Sequence, residues 1–165
     1  VIYGGARSGR MGIVADSALA EGGEVIGVIT RYLQDLEVEH KGLTEAHIVE
    51  TMHERKTMMV GRSDAFVALP GSLGTMEELV EIATWRQIGL SLKPIILVNF
   101  DGFWDHFLEQ IDRMIEEKCM LPEHRTIFQV IQSPDQIFDA LNSFNPNSFD
   151  VTSKWSDEHI MEGEK

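Results

Sequence analysis

Residues Asp64–Gly89, DAFVALPGSLGTMEELVEIATWRQIG, set the frame for the rest of the chain. The mostly apolar run closed by Pro70 predicts a buried strand. Gly71 to Thr75 predicts a tight loop, and Met76 to Ile88, with apolar residues three and four apart, predicts a helix. A strand that turns through glycines into a helix aims backbone N–H groups, and the positive end of the helix dipole, at an anion. The loop therefore reads as a phosphate cradle. Glu77 and Glu78, just behind it, face whatever the phosphate is attached to.

The neighbouring segments repeat the strand–helix alternation. Before the loop, Glu24 to Thr30 (EVIGVIT) is a β-branched run that predicts a buried parallel strand, and Ala46 to Met52 is a weaker strand candidate. Met11 to Glu21 predicts a helix with Ile13, Val14, Ala18 and Leu19 on its apolar side, stopped by Gly22-Gly23. His53 to Arg62 predicts a short basic helix, and Arg31 to Glu45, with no clear period, a surface excursion. After the loop come a buried strand at Pro94–Phe100 and a helix at Phe103–Lys118, with Phe103, Phe107, Ile111, Met114 and Ile115 on one stripe. A short strand near Ile127–Ile131 and a helix at Pro134–Leu141 close the series.

This alternation predicts an α/β fold: a parallel sheet covered by helices on both faces, in a single domain over residues 1–144. Such sheets bind ligands outside the carboxyl ends of their strands, where both glycine loops, Gly4–Gly12 and Gly71–Thr75, fall. Val1 to Gly5, VIYGG, reads as the end of a strand whose beginning is absent, so missing N-terminal residues are expected. Residues 145–165 are polar and acidic, with little to bury, and are expected to form a frayed tail.

A chain of 165 residues can bury a real core. Its net charge of −13 argues against a general nucleic-acid binder and leaves the capture of any small anion to local donors. The lone Cys119 excludes an internal disulfide and fits a reducing compartment. With neither an apolar run of membrane-spanning length nor a signal-peptide pattern, the expectation is a cytoplasmic protein without a membrane partner.

Several residues carry two readings. The first glycine loop has glycines at 5, 9 and 12, which is not the dinucleotide spacing, so it is either a packing turn or a binding loop. The second lacks the lysine of a triphosphate cradle but suits a terminal monophosphate. Thr75-x-x-Glu78 is a capping-box pattern, so Glu78 either caps the helix or acts on the ligand. Arg55 and Lys56 are either a solvated face or the positive charge that an anionic ligand requires. The six histidines show no metal spacing, no metal is expected, and neither Ser8 nor Ser72 sits in a hydrolase elbow.

PGSLGTMEE (Pro70 to Glu78) resembles the PGGxGTxxE signature of the Lonely Guy family. MHERK (Met52 to Lys56) resembles its companion motif, and YGGARSGRMG its first glycine loop, so the likeness runs from Val1 to about Leu141. It implies a Rossmann-like doubly wound fold and a cytoplasmic homodimer. It also implies hydrolysis of the N-glycosidic bond of cytokinin riboside 5′-monophosphates, often AMP too, without a cofactor. Members were once labelled lysine decarboxylases, and nothing here resembles a site for that enzyme's cofactor. Carried over by motif, Arg55 and Glu78 would be the catalytic pair. Gly4, Gly5, Glu37, Lys56, the run Gly71, Ser72, Leu73, Gly74, Thr75, Met76 and Glu77, and Thr84 would line the substrate site. Ser72 stands where the signature has glycine. At a positive φ it would carry a penalty of roughly 1 kcal/mol, which would favour a non-catalytic nucleotide-binding module on the same scaffold.

Overall fold

The structure is a computed structural model and describes residues 1–36 and 38–148. It forms two compact units, Val1–Ser63 and the remainder from Asp64 on.

The first unit is a parallel three-stranded sheet in the order β1 (Ile2–Tyr3), β2 (Ile26–Thr30), β3 (Glu45–Val49). Tyr3 lies opposite Gly27, and Gly27 opposite Ala46. Val28, Ile29 and Thr30 of β2 are buried, as the β-branched run predicts for a central strand. On the edge strand β3 only Val49 is buried, which explains its weaker signal. Three helices connect and follow the strands: α1 (Gly9–Ala20), α2 (Arg31–Asp35) and α3 (Met52–Arg62). The α1 helix stops where Gly22, at φ +77°, lets its N–H reach Leu19 O and that of Gly23 reach Ala18 O.

The segment Arg31 to Glu45 is more ordered than expected, because α2 starts directly on β2. The Thr30 hydroxyl caps it by accepting the Leu33 N–H. One turn and a half with no buried residue has too few positions to display a period.

The second unit has the parallel order β4 (Phe66–Ala68), β5 (Ile95–Val98), β6 (Phe128–Ile131). All four β5 side chains are buried and alternate between two clusters. Ile95 and Leu97 pack with Leu79 of α4 (Leu73–Gln87), Trp104, and Leu108 and Ile111 of α5 (Asp105–Glu116). Ile96 and Val98 pack with Ile131 and with Ala140 of α6 (Ile137–Ser143). Both faces of this sheet are therefore covered. Each β5 side chain withdrawn from water contributes on the order of 1.5–3 kcal/mol. The helix expected at Pro134–Leu141 is a 3-10 turn, Pro134–Gln136, followed by α6.

Parallel strands joined through helices in each unit give the α/β, Rossmann-like architecture the alternation predicts. Among the described residues no helix is long and apolar enough to cross a membrane. Of the expected tail, residues 149–165 lie outside the described residues.

Candidate functional site

In the first unit the α3 helix opens with a capping box. The Thr51 hydroxyl accepts the Glu54 N–H at 3.1 Å, and the Glu54 carboxylate accepts the N–H groups of Thr51 and Glu50 at 3.2 and 2.9 Å. This fixed first turn carries Arg55 inward. Only 6% of Arg55 is exposed, so it is not part of a solvated face. A guanidinium taken out of water needs acceptors to replace its hydration. The Val28 carbonyl of β2 is one, accepting from Nε at 2.9 Å. The far end lies against Gly4, where a Cβ would stand 1.8 Å from Nη2. At least at Gly4, the first glycine loop exists to let this arginine approach. Gly5, buried at φ +76°, makes the turn that follows.

In the second unit α4 begins at Leu73, three residues before the expected Met76. Ser72 takes the N-cap position, with no capping bond from its side chain among the described residues. Thr75 is therefore inside the helix, and Thr75–Glu78 is not a capping box. The first-turn N–H groups have no acceptor within the helix, which leaves them for a ligand or water. Ser72 sits at φ −100° and ψ −160°, extended backbone open to any residue. The steric penalty feared for serine is absent, and with it the feature that favoured a non-catalytic module.

The glycines flanking Ser72 do different work. A Cβ on Gly71 would lie 2.2 Å from Thr75 Oγ1, whereas a Cβ on Gly74 would meet nothing within 4 Å. Leu79 is buried in the core at 1% exposure, Glu78 is half-buried and Glu77 exposed. Helical side chains lean toward the N-terminus, so Glu78 overlies the turn formed by Gly74 and Thr75. First-turn backbone N–H groups and a carboxylate thus share one helix end.

Residues 11–141 match the sequence profile of a family described as "Possible lysine decarboxylase". The chain is 38% identical over 154 residues to the rice (Oryza sativa subsp. japonica) "Probable cytokinin riboside 5'-monophosphate phosphoribohydrolase LOGL2", covering 93% of this chain and 63% of that protein. It is 44% identical over 135 residues to the rice protein of the same description numbered LOGL9, covering 82% and 59%. It is 37% identical over 154 residues to "Cytokinin riboside 5'-monophosphate phosphoribohydrolase LOG5" of Arabidopsis thaliana, covering 93% and 68%. The chain belongs to the Lonely Guy family. It spans about three fifths of the length of the first curated relatives it matches, at 63% and 62%.

The remaining positions carried over from the Lonely Guy resemblance, of which Glu37 and Thr84 lie outside its motifs, fall as follows. Lys56 is half-buried beside Arg55, and Met76 is half-buried against the α4 core. Leu73 is 86% exposed. Thr84 is exposed lower on α4 and donates its hydroxyl to Val80 O at 2.8 Å. Glu37 lies outside the described residues.

Sequence reasoning missed a second carboxylate, Glu39. It is 8% exposed and accepts from Lys41 Nζ at 2.6 Å and Gln34 Nε2 at 3.1 Å. Those hydrogen bonds, from Lys41 first and then Gln34, hold its pKa below the usual carboxylate range. Its backbone pairs antiparallel with Ala6 of the first glycine loop, flanked by bonds from Arg7 N to Val38 O and from His40 N to Gly5 O. His40 bonds Asp16 of α1 through Nε2 at 2.9 Å. The signal was hidden because a short bridge inside a polar segment leaves no periodicity to read.

Proposed function

We propose that this chain is a phosphoribohydrolase that splits the N-glycosidic bond of a purine nucleoside 5′-monophosphate, giving the free base and ribose 5-phosphate. The observation that carries this is the opening of α4, where a strain-free Ser72 and an unobstructed Gly74 lie beneath Glu78. The names of the relatives support the substrate class, a cytokinin riboside 5′-monophosphate, and AMP is the simplest member of the same chemistry.

In this mechanism the amides of Gly71 to Thr75 bind the 5′-phosphate, and that remote binding energy aligns the ribose. Cleavage develops oxocarbenium character on the sugar, by analogy with glycoside hydrolysis. The Glu78 carboxylate offsets that charge and orients or deprotonates the attacking water, worth ~10²–10⁴-fold as a general base. Arg55 steadies the departing purine. Gly4, Gly5, Glu37, Lys56, Glu77 and Thr84 complete the proposed substrate contacts. A cytoplasmic homodimer is the proposed form.

Base release from AMP and N6-isopentenyl-AMP, followed by chromatography, tests the reading. Wild type should release base from a nucleotide and far more slowly from the matching nucleoside. Glu78→Gln and Arg55→Ala should lose most of that turnover. Unchanged turnover in Glu78→Gln would return Glu78 to a structural role.

A further inference from the structure

In the second unit β4 and β5 run parallel, with Ala68 opposite Leu97, so the chain leaves both strands at the same edge of the sheet. After β4 that edge leads through Pro70 and Gly71 into the start of α4. After β5 it leads into the turn Phe100–Gly102. Adjacent strands are about 4.8 Å apart, which makes the two exits neighbours.

The second turn is held in shape from within. Asn99, 5% exposed, donates from Nδ2 to Asp105 Oδ1 at 2.7 Å and accepts the Trp104 N–H on Oδ1 at 2.7 Å. Its own N–H donates to Ile131 O at 2.7 Å. Asp101 and Gly102 follow at φ +50° and +73°, and a Cβ on Gly102 would stand 2.4 Å from Asp105 Oδ2. Two consecutive left-handed residues reverse the chain so that Trp104, not Phe100, enters the core. Phe103 packs edge-on against Trp104 with centroids 5.1 Å apart. Phe100 is left 58% exposed, and Leu73, the first residue of α4, is 86% exposed at the neighbouring exit.

An apolar residue and an aromatic ring at the same sheet edge as a phosphate cradle suit a ligand with an anionic tail and an apolar head. The geometry points to Phe100 as a specificity-determining residue that favours nucleotides with an apolar substituent on the base over plain AMP. This rests on the nucleotide reading of the α4 loop. The ring face offers stacking and dispersion to the base and its substituent, whereas AMP brings less apolar surface to reward the contact.

The test compares AMP with N6-isopentenyl-AMP in wild type, Phe100→Ala, Phe100→Leu and Leu90→Ala, by base release and by equilibrium binding. Leu90 is 71% exposed and precedes β5, at the opposite edge, so it serves as the control for loss of any exposed apolar side chain. In Phe100→Ala the preference for the isopentenyl nucleotide should fall about tenfold, the scale of about two CH₂ groups of the substituent returned to water, because the adenine stack is common to both nucleotides. Phe100→Leu should fall between, and Leu90→Ala should keep the wild-type ratio. Equal losses on both nucleotides, or an unchanged ratio in Phe100→Ala, overturn the proposal. The binding arm separates the two readings. A wild type that binds both nucleotides without releasing base fails the hydrolase reading, and the ratio of binding constants still decides the role of Phe100.

Discussion

Gly4 and Arg55 compete for the same space: a Cβ on the glycine would stand 1.8 Å from Nη2 of the arginine. The guanidinium cannot retreat freely, because its Nε is held by the Val28 carbonyl at 2.9 Å. Gly4→Ala should therefore displace Arg55. It should destabilise the fold by about 1–3 kcal/mol, the usual range for overpacking. Base release should fall by at least about tenfold, a loss near 1.4 kcal/mol in transition-state stabilisation. Gly61→Ala, on the same α3 helix with open space around its Cβ, is the control. It should raise stability by up to about 1 kcal/mol and leave turnover alone. Thermal melts and the chromatographic assay read both.

Gly74 separates the needs of the fold from those of a ligand. It lies inside α4, and a Cβ there would meet nothing within 4 Å, so alanine fits without a clash. Helix propensity alone predicts that Gly74→Ala stabilises the protein by roughly 0.8–1 kcal/mol. If the amides around it bind a phosphate, the added methyl also crowds the anion, and KM for the nucleotide should rise severalfold. A higher melting temperature with an unchanged KM would show that nothing approaches this glycine closely.

One local pattern occurs twice in the chain, with different outcomes. Thr-x-x-Glu occurs at Thr51–Glu54 and at Thr75–Glu78. Only the first is a capping box, because Thr51 has extended backbone before α3 whereas Thr75 is already helical. Local spacing cannot tell these apart, since the start of α4 depends on Ser72 and Leu73-Gly74 joining the helix. The buried strands β2 and β5 were plain from continuous apolar runs. Arg55 was not plain as a buried group, because its burial depends on Gly4 and Val28, which lie far from it in sequence. Glu39 was invisible because the strand-like bridge to Ala6 is distant in sequence, while its side-chain partners Gln34 and Lys41, though near, follow no helical or strand period.

Three helices end in the same two-bond motif, and one does so with the wrong residue. After α1 and α4 the left-handed position is glycine, Gly22 and Gly89, each at φ +77°. After α5 it is Lys118 at φ +59°, with Lys118 N bonded to Ile115 O at 3.0 Å and Cys119 N to Met114 O at 2.8 Å. A side chain in this region carries a steric penalty that glycine lacks. Lys118→Gly should stabilise the protein by about 0.5–1 kcal/mol, with activity unchanged, because the position is remote in the chain from every proposed site residue. A loss of stability would mean that the Lys118 side chain makes a contact worth more than the strain.

The Glu39 carboxylate should give the first glycine loop a dependence on pH. Its pKa is lowered in the folded protein, chiefly by the hydrogen bonds from Lys41 and Gln34. A depressed carboxylate contributes stability that is fully present above its unfolded pKa, about 4.3 for glutamate, and is lost as pH falls through the lower folded value. Protonation removes the charge that Lys41 Nζ and Gln34 Nε2 bond to, in the segment that pairs with Ala6. Wild type should therefore lose melting temperature on going from pH 6 toward pH 3 more steeply than Glu39→Gln, which has no proton to take up. At neutral pH the variant should be the less stable of the two, since it keeps the shape of the side chain but not its charge. Parallel melting curves across that range would mean that Glu39 binds its partners as a neutral acceptor does, and that the bridge to Ala6 alone holds the loop.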